Sequence, residues 1–138
     1  MSKELHSIVL FLVMKMNELP ALALAYIGDA VYELKIRDWL LEQGIVKVKE
    51  LQEKAIQYVS AKAQARYAQS FLEMVYTEEE RQVFLRARNH KSHKSPKNTD
   101  IITYKMATGF EAVIGYLHWK HQEDRIAELI EYIKKYAH

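Results

Sequence analysis

Two acidic residues, Asp29 and Glu111, lie within apolar stretches of the sequence and are candidates for binding a metal ion. Asp29 belongs to residues 26–33 (YIGDAVYE), and Glu111 belongs to residues 110–115 (FEAVIG). A carboxylate on an apolar helix face is costly unless a partner compensates its charge. A divalent cation is one such partner, because Mg²⁺ prefers hard oxygen ligands. For either acid alone, a basic side chain or the start of a neighbouring helix is the alternative partner.

Small residues flank both acids, and this pattern predicts that another helix or a phosphate approaches them closely. These neighbours are Gly28, Ala30, Gly109 and Ala112. Glu33 lies one helical turn after Asp29 on the same face, so it is a candidate to assist metal binding through a water. A salt bridge between Glu33 and a nearby lysine or arginine is the alternative.

The elements that carry these residues are predicted to be helices almost throughout, which gives an all-α fold of about six to seven helices. Glycine and proline are scarce, with four and two residues, and no alternating run is bounded by hairpin turns. Capping residues and apolar spacing predict the helix bounds. We expect helices between Pro20 and Gly44, from Val48 to Tyr58, from Ser60 to Met74, from Thr77 to Asn89, and over 100–119 and 123–136.

Composition indicates one globular domain and excludes several kinds of site. The 138 residues are 49% hydrophobic and 28% charged, and none is cysteine. Disulfides, thiolate metal sites and cysteine nucleophiles are therefore excluded. The apolar run Ile8 to Met14 is short for a signal peptide, and no stretch approaches the roughly 20 apolar residues of a membrane span. We expect a cytoplasmic location.

A basic stretch precedes the Glu111 segment. No acid occurs over residues 81–99, and a loop of about ten residues is predicted from His90 to Thr99. Because the net charge is only +2, the distribution of charge is more informative than its total. This stretch is a candidate RNA-binding surface, with an ordinary solvated face as the alternative. The candidates for RNA contacts in this stretch are Arg86, Arg88, Lys91, Lys94 and Lys97.

The two acidic segments together resemble the ribonuclease III family. Residues 26–33 resemble its signature, and residues 110–115 are similar to its second catalytic segment, in the same order along the chain. Residues 88–92 (RNHKS), 95–100 (SPKNTD) and 59–62 (VSAK) with Gln64 resemble its Mini-ribonuclease III branch. The resemblance runs roughly from Leu22 to Leu129. It divides the chain into an N-terminal segment, 1–19, and one catalytic domain, 20–138, with no separate double-stranded-RNA-binding domain.

The resemblance implies a metal-dependent endoribonuclease that cuts double-stranded RNA and leaves 5′-phosphate ends. Asp29 and Glu111 would bind Mg²⁺, with Mn²⁺ as a possible substitute. The family acts as a symmetric homodimer, and Tyr26 would pack across its interface. Maturation of large-subunit ribosomal RNA, helped by a ribosomal protein, is also implied. Further RNA contacts would come from Lys62, Gln64 and Arg66.

Two positions depart from the family pattern. The family usually has a glutamate where this chain has Ala25, and an aspartate where it has Thr108. Only Asp29 and Glu111 remain of four expected carboxylates, so the number of metal ions stays open. One alternative is a catalytically inactive protein of the same fold that binds structured RNA or ribosomes. Another is a helical protein-interaction domain. The histidine pairs 90/93 and 118/121 lack an evident third ligand, so we predict no zinc site.

Overall fold

The computed structural model describes residues 2–16, 19–91 and 100–136, and in these ranges the chain forms seven α-helices and no β-strand. The predicted all-α class is therefore confirmed. The helices are α1 (Lys3–Met16), α2 (Ala21–Glu42), α3 (Val48–Val59), α4 (Ala61–Met74), α5 (Glu78–Arg88), α6 (Ile101–Trp119) and α7 (Glu123–Tyr136).

The predicted helix ends are confirmed within one or two residues, because local side chains and backbone geometry set them. Gly44 adopts a φ of +86°, which suits glycine and directs the chain out of α2. The Ser60 hydroxyl accepts a hydrogen bond from the Ala63 amide at 3.2 Å and starts α4. Thr77 and Glu80 form a reciprocal capping box at α5, with bonds of 3.0 and 3.2 Å.

Helix α6 is the central element of the fold. It packs against α2, α4, α5 and α7, and its residues from Ala107 to Leu117 are buried except for Glu111. Phe110 is fully buried and lies edge-on to the Tyr32 ring of α2, with ring centroids 4.9 Å apart. A helix that is apolar on nearly all sides must be surrounded by other elements, so α6 positions the rest of the domain.

A buried ion pair joins α7 to the start of α5. The Nε and Nη2 atoms of Arg125 each donate to one carboxylate oxygen of Glu80 at 2.8 Å. Nη2 also donates to the carbonyl of Val75 at 2.9 Å. Glu80 is only 3% exposed. A buried carboxylate needs this kind of bidentate partner, and the pairing raises the pKa of Arg125 further above its usual value.

Helix α1 includes most of the N-terminal segment, and its side chains over residues 3–10 are exposed. The exposed set includes the apolar residues Leu5, Ile8, Val9 and Leu10. Within the described part of the chain, no helix is long and apolar enough to span a membrane.

Candidate active site

The site is built at the crossing of α2 and α6, where the two backbones touch. A Cβ added to Gly28 would lie 2.7 Å from the backbone nitrogen of Gly115 and closer still to the carbonyl oxygen of Glu111. A Cβ added to Gly115 would likewise lie 2.8 Å from the carbonyl carbon of Leu24. Real Cβ atoms essentially never approach this closely, so both positions require glycine. The prediction that small residues beside Asp29 admit another helix is confirmed for Gly28.

This crossing brings the side chains of Asp29 and Glu111 into contact. Burial raises the pKa of Glu111 to about 9, and the hydrogen bond with Asp29 and the charge of Asp29 add to that rise. The more distant charge of Glu33 acts in the same direction. Two like charges held together in a partly dry site favour sharing a proton, unless a cation neutralises them.

The two carboxylates differ in exposure. Glu111 is half-buried, whereas Asp29 is exposed. Asp29 follows the contact residue Gly28, and it lies on the side of α2 that is open to solvent. Of the two acids found within apolar stretches, only Glu111 therefore lies among buried residues. The pair has one protein wall and one open side, so a ligand from solvent can reach it.

Glu33 makes the salt bridge that was the alternative to metal binding, while its role near a metal ion stays a prediction. Its carboxylate accepts a hydrogen bond from Arg37, one turn later on α2, at 3.3 Å. It also acts on Glu111 through its charge, as described above. In the described ranges, no group of three or more acidic, histidine or cysteine side chains is close enough to hold a metal ion by itself. Asp29 and Glu111 thus form a site of two carboxylates.

The prediction that Gln64 contacts RNA is wrong, because Gln64 does not lie on the surface. Its side chain is only 2% exposed, because α4 turns this face toward the core. Its amide nitrogen donates to the carbonyl of Val59 at 3.0 Å, and the amide also contacts Glu111 and lowers its pKa. The buried neighbours Ala63, Tyr67 and Ala68 mark the same helix face, and this spacing was the sequence pattern that could have revealed it.

The two positions that depart from the family pattern are buried. Ala25 is 6% exposed and Thr108 is 5% exposed. The hydroxyl of Thr108 donates to the carbonyl of Tyr104 in the preceding turn of α6, at 2.9 Å. This bond satisfies the hydroxyl within its own helix, so neither position offers a carboxylate or a free oxygen to a metal ion.

The predicted basic surface is described only in part. Arg86 and Lys91 are exposed, and Arg88 is half-buried with its Nε donating to Asn89 at 3.1 Å. Lys94 and Lys97 lie outside the described residues. The described basic residues, Arg86, Arg88 and Lys91, therefore lie at the C-terminal end of α5 and just after it.

Two further predicted RNA contacts, Lys62 and Arg66, are exposed on α4. Together with Ile102 and Met106 they line a groove between α4 and α6. The lining of this groove combines positive charge with apolar side chains.

The remaining predicted site residues are aromatic or histidine. Tyr26 is 78% exposed on α2, so it is not a core aromatic of the single chain. The Nδ1 atom of His118 lies 3.2 Å from the carboxylate of Glu123. His93 lies outside the described residues.

Comparison with known proteins identifies the family. Residues 22–122 match the family model described as the ribonuclease III domain. The chain is 52% identical to the Mini-ribonuclease 3 of Enterococcus faecalis, over 86% of this chain and 92% of that protein. It is 46% identical to the Mini-ribonuclease 3 of Streptococcus pneumoniae, over 84% of this chain and 91% of that protein.

A solved structure agrees with these matches. The crystal structure of a protein from Fusobacterium nucleatum superposes with a TM-score of 0.77 at 30% identity, and it covers 88% of this chain and 96% of that one. The resemblance inferred from residues 26–33 and 110–115 is confirmed. The chain belongs to the ribonuclease III family, within its Mini-ribonuclease 3 group.

Proposed function

We propose that this chain is a metal-dependent endoribonuclease that cuts double-stranded RNA at a site formed by Asp29 and Glu111. The observation that carries the proposal is the contact between these two carboxylates, held by the backbone packing of α2 against α6. Membership of the ribonuclease III family supports the activity and the class of substrate.

The residues at this site fit a hard divalent cation. Burial and the neighbouring Asp29 raise the pKa of Glu111, so a cation bound here would stabilise the ionised form of both carboxylates. Mg²⁺ is often held by one or two carboxylates, with waters and substrate phosphates completing its shell. Asp29 and Glu111 would bind Mg²⁺, and they would accept Mn²⁺ as a substitute. When bound, the ion would supply the Lewis acidity that phosphodiester hydrolysis requires.

The chain's own residues would bind, orient and position the RNA. Asp29 faces solvent and would meet the incoming phosphate region first, while half-buried Glu111 is restrained by its surroundings. Glu33 would contribute negative charge near the pair, and through a water it would help to hold the ion. Cleavage would leave a 5′-phosphate and a 3′-hydroxyl, as the family resemblance implies.

RNA would be bound through its backbone, because the deep and narrow major groove of an A-form duplex hides the base edges. Arg86, Arg88 and Lys91 form the described part of the basic surface, and we propose that Lys94 and Lys97 extend it. Lys62 and Arg66 would contact further phosphates along the α4–α6 groove.

We further propose a symmetric homodimer in which α2 forms part of the interface. One side of α2 exposes mainly apolar residues at helical spacing, a pattern typical of a surface that packs against another chain. These residues are Ala23, Tyr26, Ala30, Leu34 and Leu41. Tyr26 is the largest of them and is 78% exposed, so it would supply a large part of the buried contact.

The cellular role is proposed from the resemblance alone. The enzyme would act in the cytoplasm on precursor large-subunit ribosomal RNA, helped by a large-subunit ribosomal protein. Nuclease assays on precursor transcripts with and without candidate ribosomal proteins would test this role.

A catalytically inactive RNA-binding protein is the second candidate, and the burial of Ala25 and Thr108 favours it. The deciding experiment incubates end-labelled duplex RNA with the protein and Mg²⁺, beside Asp29→Asn, Glu111→Gln and an EDTA control. Duplex-specific cutting that is lost in both variants and in EDTA supports the nuclease. Binding without cutting by the wild type, in Mg²⁺ and in Mn²⁺, supports the inactive protein instead.

A further inference from the structure

We infer that Gln69 and Thr103, which line the groove between α4 and α6, accept hydrogen bonds from ribose 2′-hydroxyl groups and so select RNA over DNA. This inference rests on the proposed function, because it assigns part of the surface that would bind duplex RNA. Both residues would determine specificity: they would contact the sugar and take no part in the hydrolysis itself.

The groove lies beside the helix that carries Glu111. Residues 62, 66 and 69 are spaced by four and three positions, so they form one stripe along α4. Residues 102, 103 and 106 form the facing edge on α6. Met106 precedes Glu111 by five residues, which is roughly 7 Å along the helix axis at about 1.5 Å per residue. A strand with a phosphate at the acidic pair can therefore enter this groove within a few nucleotides.

The basic residues of the groove suit phosphate groups. Lys62 and Arg66 are exposed on α4, one helical turn apart. Within the described part of the chain, neither forms an ion pair with a carboxylate, so their charges are available to a ligand. Positive charge of this kind binds the backbone of any nucleic acid and does not by itself distinguish RNA from DNA.

Gln69 presents a hydrogen-bond acceptor. Its amide nitrogen donates to the carboxylate of Glu73, one turn later on α4, at 3.0 Å. A carboxylate cannot donate, so only the nitrogen end of the amide can face Glu73. The amide oxygen then points away from this carboxylate, and no described residue donates a hydrogen bond to it. The oxygen is therefore available to accept a hydrogen bond from a ligand.

Thr103 also presents an acceptor, because its single hydroxyl hydrogen is already used. The Thr103 Oγ1 atom donates to Asp100 at 2.7 Å, and the Thr103 backbone amide donates to the other oxygen of the same carboxylate at 2.9 Å. These bonds lower the pKa of Asp100, which keeps it ionised at neutral pH and unable to donate in return. The hydroxyl of half-buried Thr103 therefore has only its lone pairs to present to a ligand.

The surroundings of these two acceptors favour a hydroxyl over a phosphate. Each is held by a neighbouring carboxylate, Glu73 or Asp100, whose negative charge repels a phosphate and attracts a hydrogen-bond donor. The 2′-hydroxyl is the donor that RNA has and DNA lacks. Ile102 is 71% exposed, and with Met106 it offers apolar surface to the carbon atoms of a ribose. The groove therefore combines the groups that a ribose–phosphate strand requires.

The test measures the binding of two duplexes of one sequence, ordinary RNA and 2′-fluoro RNA. The 2′-fluoro duplex keeps the A-form but cannot donate from the 2′ position, so the comparison removes the difference in shape between RNA and DNA. Every protein carries Glu111→Gln to prevent cleavage. We expect Gln69→Leu with Thr103→Val to weaken RNA binding by about 3-fold to 10-fold for each hydrogen bond lost. Binding of the 2′-fluoro duplex should stay the same.

Three control variants separate the sugar contact from other effects. Gln82→Leu removes an exposed amide that donates to Glu78 at 2.9 Å, at the same spacing but on α5, and it should change neither affinity. Thr103→Ser keeps the hydroxyl and should keep the preference for RNA. Lys62→Ala should weaken the binding of both duplexes by the same factor, because both carry phosphates.

Two results would overturn the inference. One is a double variant that keeps the preference of the parent protein for RNA over 2′-fluoro RNA. The other is equal weakening of both duplexes, because the two residues would then act on phosphate or on shape. Gln69 is exposed, so Gln69→Leu alone gives the same comparison if the double variant does not fold. A parent protein that binds neither duplex would overturn the proposed function as well, which is a different outcome from a changed preference.

Discussion

The backbone of Gly28 on α2 packs directly against the carbonyl of Glu111 on α6, with no space for a side chain between them. Because Asp29 is the next residue after Gly28, this contact sets the distance between the two acids of the site. Local backbone packing and the proposed metal-binding geometry therefore depend on the same pair of helices.

Gly28→Ala should separate α2 from α6 and impair both stability and cleavage. The added methyl would overlap the Glu111 carbonyl, and overpacking of this kind costs about 1–3 kcal/mol. Urea denaturation and duplex cleavage would measure the two effects. Gly44→Ala is the control: nothing lies within 4 Å of its added Cβ, but its φ of +86° makes alanine strained by roughly 1 kcal/mol. Gly44→Ala should lower stability alone, and equal cleavage by both variants would contradict the prediction.

Glu111→Gln should stabilise the metal-free protein, and more so at higher pH. The pKa of Glu111 is raised from its usual 4.5 to about 9 on folding, so the folded state holds this proton more tightly than the unfolded state. The stability of the wild type should therefore fall as pH rises from about 5 to 9, and the variant lacks this loss. The difference at pH 8 should be on the order of 1–3 kcal/mol.

Urea denaturation in EDTA at several pH values measures this difference. Adding Mg²⁺ should reverse the order, because the wild type would bind the ion and the variant would bind it weakly. Equal stability of the two proteins from pH 5 to pH 9 would show that neither burial nor the neighbouring Asp29 raises the pKa of Glu111.

Arg125→Met should destabilise the domain without changing the chemistry of the site. It leaves the Glu80 carboxylate buried without its bidentate partner, which typically costs about 3–5 kcal/mol. Replacing Glu80 by Gln in the same chain should recover part of this loss, since the buried charge is then removed. Thermal unfolding of the single and double variants measures the effect. A double variant less stable than Arg125→Met would argue against an uncompensated charge.

Replacing Arg86 or Lys91 by alanine should weaken the binding of duplex RNA and make it less dependent on salt. Each phosphate contact that is lost should reduce the slope of log affinity against log salt by roughly one. Filter binding at several salt concentrations, with Glu111→Gln as background to prevent cleavage, measures the slope. Lys54→Ala is the control, because Lys54 is also exposed but lies on α3. A similar slope change in all three variants would show that the basic surface is not specific.

Helices α2 to α7 could be predicted from the sequence, because their signals are local, whereas no helix was predicted where α1 lies. Ser60, Thr77 with Glu80, and Gly44 set helix ends through contacts with residues nearby in the chain. The acids Asp29 and Glu111 could be recognised because their small and apolar neighbours are also local. The family pattern around them added the expectation of metal binding.

Which side chains these residues contact became known from the packing of the helices. Gln64 was predicted to face RNA, but the packing of α4 against α6 buries it against Glu111. Glu80 could be identified as a helix cap, yet its pairing with Arg125 joins residues 45 positions apart. The exposure of Asp29 and the half-burial of Glu111 follow from the α2–α6 crossing. Such contacts depend on how separate helices pack. The residue pattern within one helix does not indicate which helix packs against it.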